Sequence, residues 1–163
     1  MERKRKKFRW PKKMYDKVRV SEENRLLTKY GLKNKREIWK AEAKIKYFRA
    51  RAKNLITASE EEQKNFFDNL NKVGLGVGNI ADVLALNKED LLKRRLQSII
   101  MKKKIANTPK QARQMITHKI VKIRGGVVNV PSYLVKIEEE KFISLREKNR
   151  ESKIKVQQNK GGA

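Results

Sequence analysis

The architecture is governed by LLKRRLQSIIMKKKIANTPKQARQMITHKIVKIRGG, residues 91–126. Its apolar residues recur three and four apart as far as His118, which is typical of helices, and then alternate, which is typical of a strand. Thr108, Pro109 and Gln111 form a strong helix start, because Thr caps free amides, Pro suits the first helical position and Gln completes a capping box. The pattern predicts two helices followed by β structure.

The first of these helices begins before the quoted stretch. Asn87 is its predicted cap, with Glu89 and Asp90 in the first turn, where carboxylates favour the positive end of the helix dipole. The inward side chains of the two helices are predicted to be Leu91, Leu92, Leu96, Ile99, Ile100, Ala112, Met115 and Ile116.

Beyond His118 the period of two predicts a small antiparallel sheet. Gly125 and Gly126 lie between two alternating runs and predict a hairpin turn. The return strand is expected over 127–130, and two more strands are expected over 133–137 and 141–145.

Upstream, the chain reads as helical. Residues 1–20 lack apolar periodicity and predict an extended basic arm. Ser21 is the expected cap of a short helix that ends at Gly31, and Asn34 opens a long helix with Glu37 at the capping-box position. The long helix has an apolar stripe of Ile38, Ala41, Ile45, Phe48, Ala52 and Leu55.

A third N-terminal helix is expected from Ser59, with Glu62 completing its capping box, to about residue 72. The glycine-rich segment 74–78 is predicted to be a turn between helices, because no strand precedes it and no Lys-Ser/Thr follows it, as a nucleotide loop would require. The fold class is therefore α+β. The predicted units are a basic arm (1–20), a helical domain (21–86), a domain of a helix pair and a small sheet (87–145) and a polar tail, disordered or draped on a partner (146–163).

Charge points to the partner. The 163 residues carry a formal net charge of +25, and residues 91–136 contain twelve Lys and Arg but no Asp or Glu. So many like charges repel one another unless a polyanion neutralises them. Because the same stretch has the apolar spacing of folded elements, the sequence predicts a docked nucleic-acid-binding module rather than a sticky tail.

Several other classes are excluded or disfavoured. The chain has no Cys and a single His118, so neither a Cys-ligated nor a multi-His metal site is expected, and no cofactor is predicted. No apolar run approaches the roughly 18 residues of a membrane span, and no apolar segment follows the basic N-terminus as in a signal peptide. The sequence predicts a soluble intracellular protein without membrane binding or a small-molecule substrate.

The candidate RNA contacts are cations and amides that helical or strand periodicity turns away from the core, together with residues at helix N-termini. Arg grips phosphate in a fork, Lys supplies diffuse charge, and Gln or a hydroxyl reaches sugars and bases. The candidates are Arg36, Lys40, Lys44, Arg51, Arg94, Arg95, Gln97, Lys102, Thr108, Lys110, Gln111, Arg113, Gln114, His118, Lys119, Lys122 and Arg124.

Three runs resemble a known family: 93–97 (KRRLQ), 107–118 (NTPKQARQMITH) and 127–135 (VVNVPSYLV) are similar to the RNA-binding domain of the small-subunit ribosomal protein S-four family. The run 30–40 (YGLKNKREIWK) resembles the archaeal and eukaryotic branch of that family. The resemblance implies a structural protein that binds small-subunit ribosomal RNA early in assembly, near the path by which messenger RNA enters the subunit. Neighbouring ribosomal proteins are the implied partners. The implied location is the cytoplasmic ribosome, and the nucleolus during assembly if the source is eukaryotic.

Two alternative functions fit the sequence less well. An RNA-modifying enzyme with the same domain, such as a pseudouridine synthase, needs a separate catalytic domain, and residues 1–90 are too short, basic and helical to supply one. A DNA-binding helix pair would concentrate its basic residues on one recognition helix. Here they extend over an arm, a long helix, a helix pair and a hairpin, which favours a folded RNA.

Overall fold

A computed structural model describes residues 7–146 of the chain. The helices are α1 (Lys17–Tyr30), α2 (Lys35–Asn54), α3 (Glu60–Val73), α4 (Ile80–Ala85), α5 (Lys88–Lys93), α6 (Leu96–Lys102), α7 (Pro109–Thr117) and α8 (Ile137–Glu140). A 3-10 turn, Leu55–Thr57, follows α2, and the strands are β1 (Val121–Ile123), β2 (Gly126–Val127) and β3 (Ile143–Leu145). This arrangement confirms the α+β class.

The first helix begins earlier than predicted. Asp16 is its N-cap and accepts a hydrogen bond from the amide of Val18 at 3.1 Å, so Ser21 lies inside the helix and its predicted capping role is wrong. The described part of the arm, from residue 7, is irregular only as far as Asp16, and residues 1–6 lie outside the described chain, as do 147–163 of the predicted tail. Gly31 ends α1 as predicted, with a left-handed φ of 58°.

Helix α2 follows its sequence pattern closely. It begins after Asn34, and its predicted apolar stripe is buried or half-buried along its whole length. The expected capping box does not form at this end, because Glu37 accepts from the amide of Lys33 instead and turns mainly toward other elements. At α3, likewise, Ser59 makes no side-chain capping bond. The segment 74–78 is the predicted turn, but the short helix α4 that follows it was not anticipated.

The single helix expected from Asn87 is in fact two. Arg95 has extended backbone angles (φ −71°, ψ 145°) and pairs with Leu134 in an isolated antiparallel bridge. The amide of Leu96 donates to the carbonyl of Tyr133 at 2.8 Å, and the amide of Val135 donates to the carbonyl of Arg94 at 3.2 Å. These backbone bonds to a distant segment replace helical bonds and separate α5 from α6.

The sheet is smaller than predicted and has the order β2-β1-β3, all antiparallel. The turn between β1 and β2 has positive φ at Arg124 (49°) and Gly125 (80°), as a tight hairpin requires. The return strand covers only Gly126–Val127, and residues 133–137 form a bridge and the start of α8 instead of a strand. The strand expected over 141–145 is present as β3.

Three apolar clusters hold the described chain together. The first joins α6, α7 and β1 around Leu96 and Ile116. The second packs α2, α3 and α4 with Leu91 of α5, and the third packs Leu92 of α5 against α1 and α2. Helix α5 therefore shares its core with the N-terminal helices, although the division predicted from the sequence begins a new unit at residue 87. None of the helices in residues 7–146 has the length and apolar character required to traverse a bilayer.

Candidate nucleic-acid interface

The outer face of α2 is a row of exposed cations. Arg36, Lys40, Lys44 and Arg51 are all exposed, as their helical spacing opposite the apolar stripe predicts. The guanidinium of Arg36 lies 5.4 Å from the ring centroid of Trp10, a distance typical of a cation–π contact. This face is therefore available to a polyanion along about 15 residues of helix.

The N-terminal half of α7 presents the second set of candidates. Lys110 and Gln114 are exposed. Thr108 and Gln111 are also exposed but serve the helix start: the amide of Gln111 donates to Thr108 Oγ1 at 3.2 Å, and the amide of Asn107 donates to Gln111 Oε1 at 3.0 Å. The sequence therefore identified the helix start correctly, and the two cap side chains keep some lone pairs and protons for an outside partner.

The turn after α7 and the hairpin carry the third set. His118 caps the end of α7 and is exposed, and Lys119 follows it with a left-handed φ of 59°. Lys122 is half-buried between the buried Val121 and Ile123, on the opposite side of the strand. Arg124, at the hairpin, is exposed but donates to Glu138 at 3.2 Å, which holds it on the protein.

Arg94 is a correction to the predicted interface. Its guanidinium is largely buried and donates to the carbonyl of Val73 at 2.7 Å, the carbonyl of Val135 at 3.2 Å and the carboxylate of Glu140 at 3.1 Å. All of these partners belong to the protein, and they tie α3 and α8 to the C-terminal end of α5. Because these partners occupy its guanidinium, Arg94 stabilises the fold and is not free to bind phosphate.

Arg95 and Gln97 are corrected for the same reason. Arg95 is 6% exposed, and its guanidinium donates to Glu37. Gln97 is 1% exposed, and its Nε2 lies within hydrogen-bond distance of the carbonyls of Tyr30, Gly31 and Pro109 at 2.8–3.0 Å. Both side chains hold the α1–α2 connection against α6 and α7. Their residue types suggested RNA contacts, but periodicity alone could not reveal that a partner from 60 residues away covers them.

Glu37 is the junction of this contact. It accepts from Arg95 and from Arg113 of α7, the latter at 3.0 Å. Burial would raise the pKa of the Glu37 carboxyl, but the hydrogen bonds from Arg113 and Arg95 outweigh burial and hold that pKa below its ordinary value. Arg113 keeps 24% of its side chain exposed, so it both pairs with Glu37 and contributes to the protein surface.

These ion pairs explain how the charge of the module is distributed. The carboxylates that neutralise its arginines come from outside the carboxylate-free block, namely Glu37, Glu138 and Glu140. Among the lysines of the block, only Lys93 makes an ion pair with a carboxylate of residues 7–146, to Asp90 at 3.0 Å. The others at the surface are Lys102, Lys103, Lys104, Lys110, Lys119, Lys136 and, half-buried, Lys122. Arg94 and Arg95 are held inside the protein, and the exposed lysines leave the surface strongly positive.

Lys104 is a surface cation that sequence reasoning missed. Only Lys102 was chosen from the three consecutive lysines 102–104, although Lys104 is equally exposed and has a left-handed φ of 57°. Lys103 instead contacts the backbone carbonyl of Glu140. No pattern in the sequence separates the three. Within the described chain, no group of three or more His, Cys, Asp or Glu side chains could hold a metal ion.

Comparison with known proteins agrees with this geometry. Residues 94–141 match the family model described as S4 domain. The chain is similar to proteins named small ribosomal subunit protein uS4. One, from Methanococcus aeolicus, is 44% identical over 133 residues, which cover 77% of this chain and 75% of the relative. A second, from Saccharolobus solfataricus, is 42% identical over 146 residues, covering 85% and 81% of the two chains. A third, from Methanosphaerula palustris, is 38% identical and covers 82% and 80%.

Proposed function

This chain belongs to the small ribosomal subunit protein uS4 family, and on that basis we propose that it binds small-subunit ribosomal RNA directly. The resemblance seen in the sequence is thereby confirmed. Its relatives are named as ribosomal proteins, which are structural components, so this chain has a structural role in the small ribosomal subunit and is not an enzyme. Its location is the ribosome.

The observation that carries the proposed RNA contact is the unbalanced cationic surface of the S4 module. Lys102, Lys104, Lys110 and Lys119 are exposed and have no carboxylate partner within residues 7–146. A folded RNA displays phosphates at high density, and lysines that neutralise these phosphates release the counterions condensed on the RNA, which favours binding. The proposed interface also includes the exposed face of α2, Gln114 and His118.

Finer aspects are part of the same proposal. We propose that binding occurs early in subunit assembly, that other ribosomal proteins are neighbours, and that the protein lies near the path of incoming messenger RNA. The proposed location is the cytoplasmic ribosome, with a nucleolar stage of assembly if the source is eukaryotic. We also propose that residues 87–145 act as the RNA-binding unit, with the segment before α1 as an arm, and that neither a membrane nor a small-molecule substrate is involved.

The direct test is the salt dependence of binding to a folded fragment of small-subunit ribosomal RNA. If the interface neutralises about six to ten phosphates, affinity should fall by roughly 10³–10⁵ between 50 and 200 mM salt. The double substitution Lys110→Gln and Lys119→Gln should lower the slope of log affinity against log salt by about 2, since each phosphate contact contributes about 1.

The matched control removes the same charge from another face. Lys64→Gln with Lys72→Gln, on the exposed side of α3, should leave the slope unchanged, because this helix begins with three consecutive glutamates and lies outside the proposed interface. A flat salt response of the wild-type protein, or equal slopes for the two double variants, would contradict direct binding through the S4 surface.

A further inference from the structure

A cleft outside the S4 module combines aromatic rings with basic side chains. It has a volume of about 710 Å³ and lies between the segment before α1 and the middle of α2. Phe8, Trp10 and Trp39 line it, with ring centroids 5.2–5.9 Å apart. Its rim carries Lys7 and Lys12, both exposed.

Trp10 is more exposed than a purely structural anchor needs to be. Trp10 is 44% exposed, whereas Trp39 is half-buried. The Nε1 of Trp39 donates a hydrogen bond to the buried Glu23 at 2.8 Å. Trp39 thus fixes the floor of the cleft, and Trp10 leaves much of its surface to solvent. Exposed aromatic rings beside basic groups are the elements of a base-stacking site, since every nucleobase has a face that stacks on them.

The floor of the cleft is fixed by a buried carboxylate. Glu23 is 3% exposed and accepts hydrogen bonds from Arg19 and from Trp39 Nε1, both at 2.8 Å, and Lys35 Nζ lies 3.5 Å from its Oε2. These contacts hold Trp39 in place beneath Trp10, whose ring centroid lies 5.2 Å away.

The cleft is continuous with the proposed RNA surface. Arg36, on the exposed basic face of α2, lies 5.4 Å from the centroid of the Trp10 ring. The carboxylate at the rim does not cancel the local positive charge, because Glu42 is paired with Lys46 at 2.8 Å. An anionic chain that follows the α2 face therefore reaches the rings without crossing a repulsive surface.

We propose that this cleft binds one unstacked nucleotide of a single-stranded RNA segment, with its base against Trp10 and its phosphates beside Lys7 and Lys12. The inference rests on the proposed RNA-binding function and adds a second contact outside the S4 module. Stacking is tolerant of base identity, so the site requires a base but does not specify which one.

The full-length chain supplies its own probe, because its only two tryptophans, Trp10 and Trp39, both lie in the cluster. Tryptophan fluorescence is titrated with an eight-nucleotide oligoadenylate and, separately, with inorganic polyphosphate of similar charge that has no bases. Oligoadenylate should quench the fluorescence, and polyphosphate should bind with little quenching. Affinities of the variants for both ligands are measured by isothermal titration calorimetry, because Trp10→Leu removes a fluorophore and polyphosphate gives little quenching. Trp10→Leu should weaken oligoadenylate binding by about 5- to 150-fold, the range expected for the loss of one stacked base, and leave polyphosphate affinity unchanged.

Two further variants keep the outcome unambiguous. Trp10→Phe retains a stacking ring and should retain most of the affinity. Tyr15→Leu removes a 92% exposed aromatic side chain that does not line the cleft, and it should behave as wild type. Equal losses for both ligands in Trp10→Leu would assign Trp10 a structural role and overturn the proposal, as would an unchanged affinity for oligoadenylate. Affinity for the folded ribosomal RNA fragment, measured on the same variants, tests the proposed function separately, since the S4 surface would bind it even without the stacking site.

Discussion

Replacing Arg95 with Met should destabilise the protein without directly removing an RNA contact. Arg95 was a candidate for RNA binding on sequence grounds, but it is 6% exposed and its guanidinium donates to Glu37. Met is chosen because it preserves most of the buried apolar stem while it removes the charge. The variant leaves Glu37 with Arg113 as its remaining charged partner, at 3.0 Å.

The size of the effect follows from the bond that is lost. A hydrogen bond to a charged group contributes about 1.5–3 kcal/mol. For a chain of this length a loss of 1 kcal/mol lowers the melting temperature by about 2–4 °C, so Arg95→Met should melt about 3–12 °C below wild type. Glu37→Gln should destabilise the protein more than Arg95→Met does, with a total loss of about 3–5 kcal/mol. The reason is that two guanidiniums then remain in a half-buried site without their shared carboxylate.

The pH dependence has a definite sign. Because the folded-state pKa of Glu37 lies below its ordinary value of 4.5, the ionised carboxylate stabilises the fold above that pH. This contribution is lost as pH falls from about 4.5 through the folded-state pKa. Wild type should therefore lose more stability than Glu37→Gln over this acid range, and the difference between the two proteins should shrink as pH decreases.

Two measurements separate a structural role of Arg95 from a role in RNA contact. Stability is measured by urea denaturation and thermal melting at pH 7, and RNA affinity is measured well below the melting temperature. We expect Arg95→Met to be less stable and to bind RNA as wild type once the folded fraction is taken into account. A variant that melted like wild type and lost RNA affinity would refute the structural role, and Arg95 would have to face the RNA.

Two further predictions concern packing. Leu96→Ala should destabilise the protein by about 2–5 kcal/mol, because Leu96 is fully buried among α6, α7 and β1, and a melting temperature within 2 °C of wild type would contradict this. Gly31→Ala should cost at least about 1–2 kcal/mol, because its φ is 58° and an added Cβ would lie 2.7 Å from Pro109 Cβ. Gly125→Ala is the matched control, because Gly125 also has a positive φ (80°) but has open space around it. In urea denaturation, the difference between the two variants in the free energy of unfolding isolates the cost of the clash at Gly31.

Local rules accounted for much of the fold. The start of α7 at Thr108 and Pro109, the end of α1 at Gly31, the apolar stripe of α2 and the hairpin at Gly125 all followed from backbone chemistry within a few residues. The α+β class and the surplus of cations were equally accessible, since both depend on composition and periodicity. The exposed candidates on α2 and α7 lie where helical spacing placed them.

The arrangement of the arginines was beyond these rules, because it depends on partners far along the chain. Arg94, Arg95 and Gln97 have the residue types and the sequence surroundings of RNA contacts, yet Glu140, Glu37 and three backbone carbonyls hold them inside. A backbone bridge between Arg95 and the distant Leu134 also divides the predicted helix in two. Sequence therefore specified which local elements form and that their surface is basic. Long-range packing assigned Arg94 and Arg95 to the interior and left most lysines of the block at the surface, because a buried guanidinium is tolerated only where a carboxylate or carbonyl from elsewhere in the fold satisfies it.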